Sequence, residues 1–331
     1  MTKIKVENNF VWIILAAIKI YSMNFIKFCG YMTFPILGQV LGLLLTFCLA
    51  AIYIVYLPEL SLKYPIFKEN STIIGCVVLI TIPGMLVYIK AFWDYLVAYG
   101  AINSVTEGYL STGKIYDFPA HNATVTKRAG KYICLWLLYS LFWIFAVNPF
   151  LWVIAGILFI YFILIFQVFS FEPEQTPAGC FKRSFAIIRG NGFRTLLIML
   201  IIGVFTHVLF VQGFSVFFDF TRLTQLLSTL FEEYLVDYIP IDTLNNTMLM
   251  FNSSFNLITP EKVSSFLVYQ IVAFMVIGYT LPLRSITWAL WYRALCGKTL
   301  TEETKPRKGK KKVLKKLSQE VIDRAMRKYE D

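Results

Sequence analysis

Charge is what this sequence has least of. Only 15% of its 331 residues are Asp, Glu, Lys or Arg, against about 25% in an ordinary soluble domain. Histidine is nearly absent: His121 and His207 are the 2 present, too few for a His-rich metal site. The 6 cysteines (Cys29, Cys48, Cys76, Cys134, Cys180 and Cys296) form no C-x-x-C pair. Most sit in or beside apolar runs and read as free, buried thiols. There is no glycine-rich phosphate loop, no G-x-S-x-G and no H-E-x-x-H. The sequence thus offers no catalytic, cofactor-binding or metal-binding constellation, and the chain reads as a non-enzyme.

What is there is hydrophobic. Apolar residues make up 57% of the chain, aromatic residues 17%, and mean hydropathy is +0.64. That balance excludes a soluble globular enzyme and a disordered protein. It leaves an all-α, polytopic integral membrane protein. A membrane helix needs about 20 consecutive, mostly apolar residues. Uncharged runs of 31, 20, 40, 24 and 21 residues lie between Lys27 and Glu59, Glu69 and Lys90, Lys131 and Glu172, Arg194 and Asp219, and Lys262 and Arg284. The longest is too long for one crossing, and Asn148-Pro149 inside it is a natural turn. Six transmembrane spans are expected, over about 31–56, 72–97, 131–147, 150–171, 194–218 and 263–284. The start of the chain, with Lys3, Lys5 and an apolar run from Phe10, looks like the opening of a signal peptide. No small-x-small cleavage site follows, and Lys19 and Lys27 interrupt the run, so it reads as retained.

Orientation follows from the basic residues. Lys3, Lys5, Lys19, Lys27, Lys114, Lys127, Arg128, Lys131, Lys182, Arg183, Arg189 and Arg194 fall on one side. Lys63, Lys68, Arg222 and Lys262 fall on the other. Both termini are therefore expected in the cytoplasm.

The chain divides into three helical hairpins, each entered through an amphipathic cytoplasmic stretch: 10–28, 119–131 and 178–193. The first places Phe10, Ile13, Ile14, Ala17, Ile18, Tyr21, Phe25 and Phe28 on one helical face. Each stretch ends in a similar step, at Tyr21–Phe25, Arg128–Tyr132 and Arg189–Phe193, which points to a threefold internal repeat. A helix lying in the interface sinks its apolar face among the acyl chains while its Lys and Arg meet anionic headgroups. The competing reading makes these ordinary basic connectors.

Residues 1–298 thus read as the membrane domain and 299–331 as a basic cytoplasmic tail with a short helix. The tail carries Lys305, Arg307, Lys308, Lys310, Lys311, Lys312, Lys315 and Lys316. Such a cluster binds anionic lipid at about 1 kcal/mol per charge near the surface. Ribosomal RNA is the other candidate partner, disfavoured because the run Lys305–Lys316 has no aromatic residue to stack on bases. With the tail run, Lys127, Arg128, Lys131, Lys182, Arg183, Arg189 and Arg194 form the candidate anionic-lipid contacts. Outside, Thr221–Tyr238 has apolar residues at helical spacing and reads as a helix on the outer interface, a bundle cap or a docking surface for a protein partner. Within or at the ends of spans, Lys90, Asp94, His207 and Arg284 form a candidate polar cluster. Lys90 and Asp94 are spaced to pair on one helix face, and Asp94 is a candidate partner for Arg284. Pro83-Gly84 and Pro282 are candidate helix breaks.

The run Cys180-Phe181-Lys182-Arg183-Ser184-Phe185, then Ile188–Arg194, then a long apolar span, resembles the segment before the fifth helix of one family. That family is the membrane domain found with glycerophosphoryl diester phosphodiesterases, together with related six-helix bacterial inner-membrane proteins. Trp291–Leu295 resembles the family's closing aromatic-basic step. The resemblance implies a bacterial cytoplasmic-membrane protein of six helices. It does not imply phosphodiesterase activity, which belongs to a separate soluble barrel absent here. The expected role is a non-enzymatic membrane protein engaging lipids or protein partners in envelope maintenance. Transport of a lipid or small amphiphile is the alternative, and ribosome docking or insertion through the tail is a weaker one.

Overall fold

A computed structural model describes residues 9–303, apart from 116, 235, 237–240, 242–244, 247–248 and 250–256. The described chain is helical throughout, with no strand among the described residues. In order, the helices are α1 (Phe10–Met23), α2 (Phe25–Lys63), α3 (Asn70–Thr112), α4 (Phe118–His121), α5 (Ala123–Thr126), α6 (Ala129–Ser140), α7 (Phe142–Val147) and α8 (Trp152–Phe162). They continue as α9 (Ile165–Phe171), α10 (Pro177–Ile188), α11 (Gly192–Gly203), α12 (Phe210–Phe220), α13 (Leu223–Tyr234), α14 (Pro260–Tyr279) and α15 (Leu281–Glu303). The polybasic run from Lys305 to Lys316 and the tail helix lie outside the described residues.

Among the described residues, five segments are long and apolar enough to cross a membrane: Phe25–Lys63, Ser71–Thr112, Pro149–Phe171, Gly192–Phe220 and Pro260–Cys296. The span expected at 131–147 falls short of that length, because the apolar helix there covers only Ala129–Phe145 and is interrupted at Leu141. Two helices run beyond the spans expected within them. α2 and α3 run 39 and 43 residues, about 58 and 64 Å at 1.5 Å per residue. Pro83-Gly84 does not break α3, which passes through it unbroken. Pro282 sits in the first turn of α15, where its missing N–H costs least. The stretch 119–131 is not one amphipathic helix; it holds the two single-turn helices α4 and α5.

Local signals set the ends. Asn9 caps α1, its Oδ1 accepting from the Val11 N–H at 3.0 Å. Thr176 caps α10 by accepting from the Gly179 N–H at 3.1 Å, with Pro177 next in line. α10 gives way to Gly190 at φ 85°, a left-handed conformation that glycine adopts without strain.

The chain packs as two units. One comprises residues up to Met32, Tyr95–Val204 and the part from Thr280 onward; the other comprises Thr33–Asp94 and Phe205–Tyr279. In the first unit α15 is the central helix. Ser285, Ile286, Thr287, Ala289, Leu290 and Trp291 are all fully buried, and a helix covered on every side belongs in a core. The Trp291–Leu295 step is therefore interior packing. α1 lies along α15 and buries Ile13, Ile14, Ala17, Ile20 and Tyr21. The apolar face expected to sink into the lipid interface is thus occupied by protein. α10 packs on α9. Val125 and His121 sit over Gly100 and Gly108 of α3, and the buried Tyr132 donates to the Leu96 carbonyl at 2.8 Å.

In the second unit, α2 and α3 touch backbone to backbone. A Cβ on Gly42 would lie 2.5 Å from the Tyr88 nitrogen, and one on Gly38 would lie 2.7 Å from the Ala91 Cβ. Val211, Val268, Val272 and Val276 form a core to which Leu227 and Phe231 of α13 contribute. Helix α13, expected on the outer interface, as a bundle cap or as a docking surface, packs against α14. Its remaining expected residues, to Tyr238, fall mostly outside the described ones.

Candidate functional site

The polar side chains of the first unit collect where α3, α9 and α15 meet. Asn103 is fully buried and central: its Nδ2 donates to Ser170 Oγ at 3.2 Å, and its Oδ1 accepts from Ser285 Oγ at 3.0 Å and Gln167 Nε2 at 3.3 Å. α9 supplies two partners and α15 one, so the network fixes the register of the three helices. Gln167 Oε1 is buried and has no hydrogen-bond partner among the described residues.

A charged layer joins the same helices and α10. Glu172 accepts from Arg183 Nε at 2.9 Å, Gln175 Nε2 at 3.1 Å and the Tyr292 hydroxyl at 2.7 Å. Arg293 Nε donates to Glu107 Oε2 at 2.7 Å, and a second guanidinium nitrogen pairs with Oε1. Two arginines cover two phenylalanines of α9: Arg128 stands 4.1 Å over the Phe169 ring, and Arg293 stands 4.8 Å over Phe171. Burial, the largest influence on Arg183, would lower its pKa, but the hydrogen bond and charge of Glu172 outweigh it and the value rises. Burial pulls Arg128 below its ordinary value. Burial pushes the Cys180 thiol up to about 11, assisted by Glu172, so Cys180 is an inert neutral thiol at pH 7. His121 is buried, bonded through Nδ1 to Ser104 Oγ at 2.9 Å; burial lowers it to about 4, against the opposing pull of Asp117. It is a neutral structural imidazole at pH 7.

The residues singled out from the sequence separate into groups. Lys90 and Asp94 pair at 2.6 Å on the surface of α3, as their spacing predicts. His207 is exposed, its Nδ1 2.9 Å from Thr206 Oγ1, in a π-helical turn at Val204–Leu209. Arg284, half-buried, donates to the Tyr95 hydroxyl and lies within electrostatic reach of Tyr99 and Tyr21. Of the candidate lipid contacts, Lys127, Lys131, Lys182, Arg189 and Arg194 are exposed. Arg128 and Arg183 are not open to headgroups in the same way. Arg128 donates to the Phe169 carbonyl at 2.8 Å and the Thr124 carbonyl at 2.9 Å, and Arg183 is held by Glu172. No metal-holding group of His, Cys, Asp or Glu occurs among the described residues.

Asn103, Glu107, Gln167, Glu172 and Arg293 escaped the sequence reading. The signal available was polar residues inside or bounding otherwise apolar helices, which in a membrane protein mark interior contacts. No known family model, curated protein or solved structure matches this chain.

Proposed function

We propose that this chain is a six-crossing membrane protein with both termini in the cytoplasm. Its cytoplasmic rim engages anionic lipid headgroups, and it serves envelope maintenance without catalysing a reaction. The observation that carries this reading is the division among its basic residues. Lys127, Lys131, Lys182, Arg189 and Arg194 are exposed, and exposed Phe185 and Phe193 stand in the same stretches. Aromatic side chains beside Lys and Arg suit the boundary between acyl chains and headgroups. The two arginines turned inward instead fix α9 and α10.

The repeat is part of the same proposal. The segment before each hairpin packs on the last helix of another: α1 on α15, α4–α5 on α3, and α10 on α9. This cyclic order gives three related hairpins a closed ring of contacts. The likeness of 180–194 to the six-helix inner-membrane family supports a bacterial cytoplasmic membrane. Transport of a small amphiphile is the second reading, favoured by the π-helical turn that places His207 midway along Gly192–Phe220.

The test is lipid preference in nanodiscs, read by quenching of tryptophan fluorescence with dibrominated phosphatidylglycerol or phosphatidylcholine. The wild type should favour the anionic lipid. Lys127→Ala/Lys131→Ala/Lys182→Ala/Arg189→Ala/Arg194→Ala should lose most of that preference, at up to about 1 kcal/mol per charge. An unchanged preference in the folded variant refutes the proposal.

A further inference from the structure

Arg284 stands in a setting that differs from the rim lysines. The half-buried guanidinium donates to the Tyr95 hydroxyl, with the hydroxyls of Tyr99 and Tyr21 in electrostatic reach. Phenols are neutral at pH 7 and can accept from the guanidinium or donate to an oxyanion. They orient its planar fork of donors without cancelling its charge. Tyr99 also meets the Gln167 amide. Gln167 is fully buried, and its Oε1 has no hydrogen-bond partner among the described residues. An unmet buried acceptor is costly to keep, so a donor brought by a ligand would be favoured there. The other edge of the cluster is apolar: Tyr21 meets Phe25 edge-on at 5.6 Å, and Met23, Phe25 and Ile26 are 66%, 49% and 85% exposed.

We infer that Arg284, Tyr21, Tyr95, Tyr99 and Gln167 form a headgroup site for an anionic phospholipid whose headgroup bears hydroxyls, phosphatidylglycerol being the type. The phosphodiester oxygens accept from Arg284 and the phenols. A headgroup hydroxyl donates to Gln167 Oε1. The acyl chains leave along Met23, Phe25 and Ile26. The inference rests on the reading that this protein engages anionic lipid, but it adds a defined, stoichiometric site to a diffuse rim.

Native mass spectrometry of the full chain tests it, with dioleoyl phosphatidylglycerol, dioleoyl phosphatidylmethanol and soluble glycerol phosphate as probes. Phosphatidylmethanol has the same charge and no hydroxyl. The wild type should retain one phosphatidylglycerol, preferred severalfold over phosphatidylmethanol. Arg284→Gln should weaken retention of both lipids about tenfold or more. Gln167→Leu should abolish the preference while leaving phosphatidylmethanol bound. Should Arg284→Gln fail to fold, Tyr95→Phe and Arg284→Lys, each checked by thermal unfolding, must show the same direction of loss. Retention equal to wild type in folded Arg284 and Tyr95 variants overturns the site, as does an unchanged preference in Gln167→Leu. Competition by glycerol phosphate overturns the lipid as its source of phosphate. The five-charge rim variant separates the two claims. If it removes the retained lipid while Arg284→Gln does not, the site is refuted and the rim reading stands. If it keeps the lipid that Arg284→Gln loses, the site stands.

Discussion

The contact between α2 and α3 makes the sharpest mechanical prediction. In Gly38-x-x-x-Gly42-x-x-x-Thr46, small residues one turn apart face Tyr88, Ala91 and Gly84. A methyl on Gly42 would sit 2.5 Å from the Tyr88 nitrogen and 2.7 Å from its Cα; one on Gly84 would sit 2.5 Å from the Thr46 nitrogen. These obstacles are backbone atoms, so no rotamer change relieves them and the helices must separate. In a bilayer there is little hydrophobic drive between helices, and close packing of small residues supplies much of the attraction. Overpacking of this kind costs about 1–3 kcal/mol. Gly42→Ala and Gly84→Ala should each destabilise the protein by that amount in reversible unfolding in mixed micelles. Gly30→Ala and Gly156→Ala, which meet nothing within 4 Å, should be neutral or stabilising by up to about 1 kcal/mol, because alanine favours helix. If Gly42→Ala matches Gly30→Ala, the close approach is wrong.

Three further perturbations follow, two of them in the first unit. Glu172→Gln keeps an acceptor but removes the charge that Arg183 and Tyr292 meet. The Glu172 and Arg183 side chains are 16% and 26% exposed, so the loss should be about 2 kcal/mol, below the 3–5 kcal/mol of a fully buried pair. Lys90→Ala, which breaks a surface pair, should cost under about 0.5 kcal/mol; equal losses in the two variants would contradict this ranking. His121 sets a pH dependence. Its folded pKa of about 4 lies below the ordinary 6.5, so its contribution is complete above about pH 6.5 and is lost as pH falls toward 4. The swing is up to about 3 kcal/mol. The melting temperature should fall over that range, and His121→Gln should flatten the fall; an equal slope in the variant refutes the assignment.

The membrane character was legible because charge gaps report hydrocarbon length directly. The Lys90–Asp94 pair was legible because helical spacing is local. The central place of α15 was not. Trp291-Tyr292-Arg293 has the composition of an interfacial anchor, and Glu107, which holds Arg293, lies 186 residues away. Glu172 looked like the charged end of a span, yet it gathers donors from two other helices. Of the face expected on 10–28, Ile13, Ile14, Ala17 and Tyr21 are buried, whereas Phe25 is exposed; what covers that face was not legible, since amphipathicity does not distinguish lipid from a protein partner. The small-residue spacing on α2 was present to be read, but it identifies one surface of a contact and not Tyr88 opposite. The interruption at Leu141 has no proline or glycine to announce it.

The central claim is that the chain threads a bilayer with its basic segments on the cytoplasmic side. Single cysteines placed in a cysteine-free background, probed in intact cells with a membrane-impermeant maleimide, test it most directly. Phe67→Cys, Phe150→Cys and Lys262→Cys should label from outside, while Lys127→Cys and Arg189→Cys should label only after lysis. Labelling of Phe150→Cys only after lysis would remove the middle hairpin from the crossings, and labelling of residues 67 and 127 from the same side would contradict the account altogether.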